Sequence, residues 1–148
     1  MRSIGEARPF LFAVLFAGAA ACAGDGTGLD EFGNPISGSG QPLEATFSSI
    51  QARILSPICA QCHAGASAPL GFSMEASASY WNLVDVPSVE APELMRVRPG
   101  QPDSSYVVWK IEGAPGIVGG RMPLGLSPLS AEEIQAIRDW IADGALQN

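Results

Sequence analysis

A small all-α domain is what this sequence predicts, and three observations predict it. Phe47, Ile50 and Ile54 fall on one helical stripe behind Thr46, a residue suited to capping a helix start. Ile134, Ile137 and Ile141 recur at the same spacing behind Ser130, which forms a capping box with Glu133. No stretch alternates between apolar and polar residues for long enough to argue for a sheet. The 148 residues leave room for one modest domain and its appendages, because a single core of ordinary size takes roughly 100 residues or more.

The appendages come first in the chain. Arg2 and Arg8 precede the apolar run from Pro9 to Ala17, and small residues from Gly18 to Ala21 follow it, which is the three-part layout of a secretory signal over residues 1–21. The run is too short to span a bilayer, which takes about 20 apolar residues. Ala19-Ala20-Ala21-Cys22 resembles a bacterial lipoprotein signal. That resemblance implies lipidation of Cys22 and a domain on the periplasmic side, anchored to a membrane; ordinary cleavage at a nearby alanine is the alternative. Residues 22–43 are Gly-rich and nearly free of large apolar side chains, so they read as a flexible tether reaching roughly 25 Å.

Residues 44–148 then carry the domain. The first helix should run from Thr46 until Pro57 ends it. A second should cover Ser77 to Val84, and a third should start at a capping Asp103 and end near Glu112. The last begins at the capping box, gains breadth from Trp140 and stops at Gly144. Tyr80, Trp81, Tyr106 and Trp109 are expected in the core, with Met74 and Met95 as filler. The hydrophobic content of 47% is inflated by the N-terminal run, so the core should be thin.

Between the first two helices stands Cys59-Ala60-Gln61-Cys62-His63, a C-x-x-C-H sequence, which is the attachment signal for c-type haem. On a helical turn the thiols at i and i+3 share a face and can reach the two vinyl groups of the porphyrin, while the next residue offers its imidazole to the iron. His63 is the only histidine in the chain, so two imidazoles cannot come from one chain. Three other readings use the same residues. A thioredoxin-like redox pair wants a βαβ context, and the flanks here are helical. A structural zinc site wants four ligands, more than this segment supplies. A short-range disulfide between Cys59 and Cys62 is the third.

Beyond the signal segment the methionines are Met74, Met95 and Met122. Met122 lies in Gly119-Gly120-Arg121-Met122-Pro123-Leu124-Gly125, where glycines allow close backbone approach and proline stiffens the exit. This segment resembles the R-M-P loop of small bacterial class I cytochrome c domains. Pro99-Gly100-Gln101-Pro102-Asp103-Ser104-Ser105 is similar to the P-G-x-P-x-x-S segment of the same family, and Leu129-Ser130-Ala131-Glu132-Glu133-Ile134 with Trp140-Ile141 to its terminal L-S-x-E-E-I helix. The resemblance covers Phe47 to Ala145. It implies a cytochrome c-like helical domain wrapped around one covalent haem c, with His63 and Met122 as axial ligands and the first and last helices crossing. It also implies that the carbonyl of Pro69 accepts the second ring proton of His63, although Ala68-Pro69 replaces the family's Gly-Pro pair.

His/Met ligation leaves iron without an open position, so electron transfer is the expected activity rather than catalysis. No paired-carboxylate motif or second histidine suggests further chemistry. The net charge is −7, and removing residues 1–21 takes away Arg2, Arg8 and Glu6, leaving −8. Nucleic acid is thereby a poor partner, and redox proteins with basic docking surfaces are favoured. A haem-based sensor, or a haem module of a larger redox enzyme, is the competing class. A haem-free lipoprotein acting as an interaction module is another.

Overall fold

The structure is a computed structural model that describes residues 43–148, all of which fall within one compact unit of the chain. The expected signal segment, the Cys22 lipidation and all but the end of the tether lie outside the described residues. From Leu43 on, the regular elements are short helices joined by turns and loops, and the only strand-like pairing among the described residues is in isolated bridges. No helix among the described residues is long and apolar enough to cross a membrane.

Helix α1, Phe47–Ile50, starts where Thr46 accepts the Ser49 N–H, and it continues through a π-helical turn, Gln51–Leu55. Gln51, at the start of that turn, is buried. Its amide donates to Ser56 Oγ at 2.9 Å and to the Met74 carbonyl at 3.0 Å and accepts from Ser79 Oγ, which ties α1 to the segment behind the C-x-x-C-H turn. Helix α2, Ser79–Leu83, is shorter than the sequence predicts.

Helix α3, Tyr106–Glu112, departs from expectation at its start. Asp103 does not cap it: a 3-10 turn, Pro102–Ser104, comes first, and the Asp103 carboxylate pairs instead with Arg138. Ser105, at the cap position, makes no capping bond either. Its hydroxyl donates to the Gln101 carbonyl at 2.9 Å and accepts the Arg98 N–H at 2.8 Å. Helix α4, Ala131–Ala142, has the reciprocal Ser130/Glu133 capping box, and Gly144 turns the chain with φ +98°.

The helices bury one shared core. Phe47 meets the Trp140 ring at 5.6 Å and the Tyr80 ring edge at 5.1 Å, so α1 packs on α4. Ser48 N–H donates to the Asn148 carbonyl at 2.8 Å, pinning the C-terminus to the start of α1. Ile50, Ile54, Val97, Val108 and Ile141 form the innermost set. Trp81 is a correction: it is 69% exposed rather than core, with the Tyr80 ring edge-on to it at 5.1 Å. Met74 is buried as expected, whereas Met95 is only half-buried.

Ile141 is fully buried where α4 meets the core. Ile141→Ala is expected to cost about 2–5 kcal/mol, through lost burial plus the cavity left behind. Urea denaturation of the full chain checks this, and an exposed α4 position, Gln135→Ala, should change stability by no more than about 0.5 kcal/mol.

Candidate functional site

The helical run ends at Leu55 with Ser56 as its cap, just before Pro57 as expected, and one further turn-like bond runs from the Ile58 N–H to the Ile54 carbonyl at 3.0 Å. A 3-10 turn, Cys59–Gln61, follows. Within it the Cys62 and His63 N–H groups both donate to the Cys59 carbonyl, at 3.2 and 3.0 Å. Cys59 is half-buried and Cys62 exposed, and both thiols are free. Burial, with a smaller push from the Glu133 charge, raises the Cys59 thiol to about 11, so it stays protonated at neutral pH.

The chain behind His63 is fastened on two sides. The His63 carbonyl accepts the Met74 N–H at 2.7 Å. The Glu75 carboxylate accepts the Gly65 N–H at 2.9 Å and the Ser73 hydroxyl at 3.0 Å, bonds that hold that carboxyl below its usual range. The imidazole meets the Phe72 ring edge-on at 5.3 Å, and the Arg96 guanidinium lies 4.5 Å from the centre of that ring.

These residues border a cavity of about 380 Å³, and Cys59, Cys62, His63 and Met122 all line it. The four residues singled out in the sequence, 63 positions apart at the extremes, are thereby brought together. Volumes of this order are typical of small-molecule and cofactor pockets, roughly 300–1,000 Å³. The walls are mainly apolar: Phe72 and Met74 on one segment, Val107 and Ile111 on α3. Leu70, Val89, Leu124 and Leu126 also line it, although they are largely exposed. No family model, curated protein or solved structure matches the chain. What the cavity does therefore has to be read from its own chemistry.

Among the described residues, His63 Nδ1 is the one buried side-chain nitrogen or oxygen without a hydrogen-bond partner. Such an atom costs about 1–3 kcal/mol. The expected acceptor, the Pro69 carbonyl, takes the Phe72 N–H at 3.0 Å instead, because residues 69–71 coil into a 3-10 turn. Nδ1 has no accessible surface, so the nitrogen that His63 can offer to a group in the cavity it lines is the other one, Nε2. No three His, Cys, Asp or Glu side chains among the described residues gather into a metal-holding cluster, but iron inside a porphyrin asks the protein only for axial donors. The residues present fit such a group.

Met122 is half-buried, with its N–H on the Lys110 carbonyl at 2.8 Å. Met74 lines the same cavity from within the core, a second sulfur that its apolar surroundings in the sequence disguised. Tyr106 also lines it, whereas Tyr80, Trp81 and Trp109 are not among its lining residues.

A polar circuit that sequence reading missed stands on the cavity wall. Lys110, buried on α3, donates to Glu90 at 3.0 Å and to the Val118 carbonyl at 2.7 Å. The Tyr106 hydroxyl donates to the same Glu90 oxygen at 2.9 Å and accepts the Val118 N–H at 3.0 Å. No local pattern announces it, since Glu90, Tyr106, Lys110 and Val118 come from three separate segments. Arg96 and Phe72 were missed for the same reason. Burial pushes the Glu90 carboxyl up, but the hydrogen bonds from Lys110 and Tyr106 and the Lys110 charge outweigh it, so its value lies below the ordinary one. The stabilisation from this depressed carboxyl is complete above the unfolded value of about 4.3 and is lost as pH falls through the folded value. The urea midpoint is therefore expected to drop on that acid limb. Glu90→Gln should flatten the limb, and an unaltered pH profile would refute the assignment.

Proposed function

We propose that the chain is an exported monohaem c-type cytochrome that carries single electrons between redox proteins. The observation that supports this best is the meeting of Cys59, Cys62, His63 and Met122 on one apolar cavity. Bound there, haem c supplies a one-electron Fe(II)/Fe(III) couple. Cys59 and Cys62 hold it by two thioether links, so it cannot be lost to solution. His63 would provide the imidazole ligand. Met122 would provide a soft sulfur ligand that favours the ferrous state. Phe72, Val107 and Ile111 give the cavity apolar walls, which would exclude water from a group bound there and lower the reorganisation that accompanies each electron.

The helical domain in this reading wraps one haem, and the acidic composition suits partners with basic docking surfaces. The lipoprotein-like segment at Cys22 would hold the domain near membrane-bound partners on the periplasmic side, raising their effective concentration. The test is the mass of the full chain, made in a host with cytochrome maturation machinery and measured under denaturing conditions. One haem added covalently to the processed polypeptide is expected. A polypeptide lighter than its reduced mass by a pair of hydrogens would instead reveal a Cys59–Cys62 disulfide and sink the proposal.

A further inference from the structure

We infer that Arg121 is a positioning residue, whose guanidinium clamps the Met122 loop onto the C-terminal end of α3 and so keeps the methionine sulfur at the cavity; the inference rests on the haem reading above.

The last four carbonyls of any α-helix lack partners within the helix. At the end of α3, the Gly113 and Ala114 N–H groups both donate to the Trp109 carbonyl, at 2.9 and 3.0 Å. That leaves the next two carbonyls, those of Lys110 and Ile111, for other donors. Met122 N–H takes the first at 2.8 Å, and Arg121 Nε takes the second at 2.7 Å. Successive loop residues thus occupy successive helix carbonyls. Lys110 and Ile111 themselves line the cavity, so this docking sets the loop in register with the cavity wall.

Gly113 makes the clamp possible. It caps α3 in the left-handed conformation, φ +72°, and the Arg121 side chain runs across it so closely that an added Cβ would lie 3.0 Å from Arg121 Cδ and 3.3 Å from Cγ. Among the described residues Arg121 makes no ion pair. Its bond to a main-chain oxygen, at the negative end of a helix, is the polar contact the structure gives it. An arginine committed to one carbonyl, with no carboxylate partner, is placed for what it holds rather than for the charge it carries.

A sulfur ligand competes with small molecules for iron in proportion to the time its loop keeps it there. Releasing a charge-assisted hydrogen bond from the loop should shift that balance by about tenfold or more. The experiment uses the full haem-loaded chain and the variants Arg121→Gln and Arg121→Lys. Covalent haem mass should be the same in all three. In Arg121→Gln, carbon monoxide should bind the ferrous protein about tenfold faster, the sulfur-to-iron near-infrared band should weaken, and the Met122 amide should exchange its hydrogen faster. Arg121→Lys, whose ammonium can reach the same carbonyl, should recover most of each. Should Arg121→Gln fail to accumulate, Gly113→Ala crowds the same contact from the helix side and should move the band and the carbon monoxide rate the same way. Haem-loaded Arg121→Gln with the band, rate and exchange of the parent overturns the clamp and leaves the cytochrome reading intact. A parent chain without covalent haem overturns both.

Discussion

Replacing Cys59 and Cys62 together with serine is expected to remove covalent haem completely, so that the denaturing mass spectrum shows polypeptide alone and the visible bands vanish on acid extraction. The geometry gives the reason. Both thiols are free, they are spaced along one turn, and they line the cavity that holds His63. A serine hydroxyl occupies nearly the same volume but forms no thioether. Loss of order should accompany loss of haem, because the cavity wall and the core are not separate. Met74 and Ile111 belong to both, and a domain of this size has little other apolar area to fall back on. Far-ultraviolet dichroism should show the double variant much less helical than the haem-loaded parent. Parent-like helicity would mean that the described core stands without the porphyrin, and covalent haem in the double variant would refute the attachment site itself.

What could be foreseen from sequence follows the reach of the interactions involved. The α4 capping box was legible because Ser130 and Glu133 satisfy each other across three residues, and the Gly144 stop is equally local. The C-x-x-C-H turn was legible for the same reason. The start of α3 was not: Asp103 looks like a cap until Arg138, 35 positions away, takes its carboxylate, and Ser105 is committed to Gln101 and Arg98. Trp81 misled because size alone argues for burial, whereas α2 turns that ring outward. Met122 stood out through its glycine and proline neighbours. Neither the Glu90–Lys110 pair nor the Arg121 contact over Gly113 has a local signature, since each is created by packing between segments that the sequence leaves unordered in space.

Met122→Ala should retain covalent haem yet change what the iron can do. With the sulfur gone, the reduction potential is expected to fall by on the order of 0.1–0.2 V, a modest part of the roughly 0.8 V over which axial ligands tune haem proteins. Reduced protein should bind carbon monoxide readily at neutral pH, which the parent should resist, and the near-infrared sulfur-to-iron band should disappear. Met74 makes the comparison decisive, because it too presents sulfur to the cavity. It is held within the core, 5% exposed, and its main chain is fixed by bonds to His63 and Gln51, on the segment that leaves the histidine. Met122 arrives on a separate loop fastened to α3, and on the proposed reading it is the sulfur that would ligate the iron. Met74→Leu, close in volume, should therefore leave the potential and the band unchanged and cost less than about 1.5 kcal/mol in stability. If the band survives in Met122→Ala and vanishes in Met74→Leu, the sulfur assignment moves to the core methionine. If the parent itself binds carbon monoxide as readily as Met122→Ala, the iron already has an open side, and a sensing or catalytic haem replaces the electron carrier as the account of this cavity.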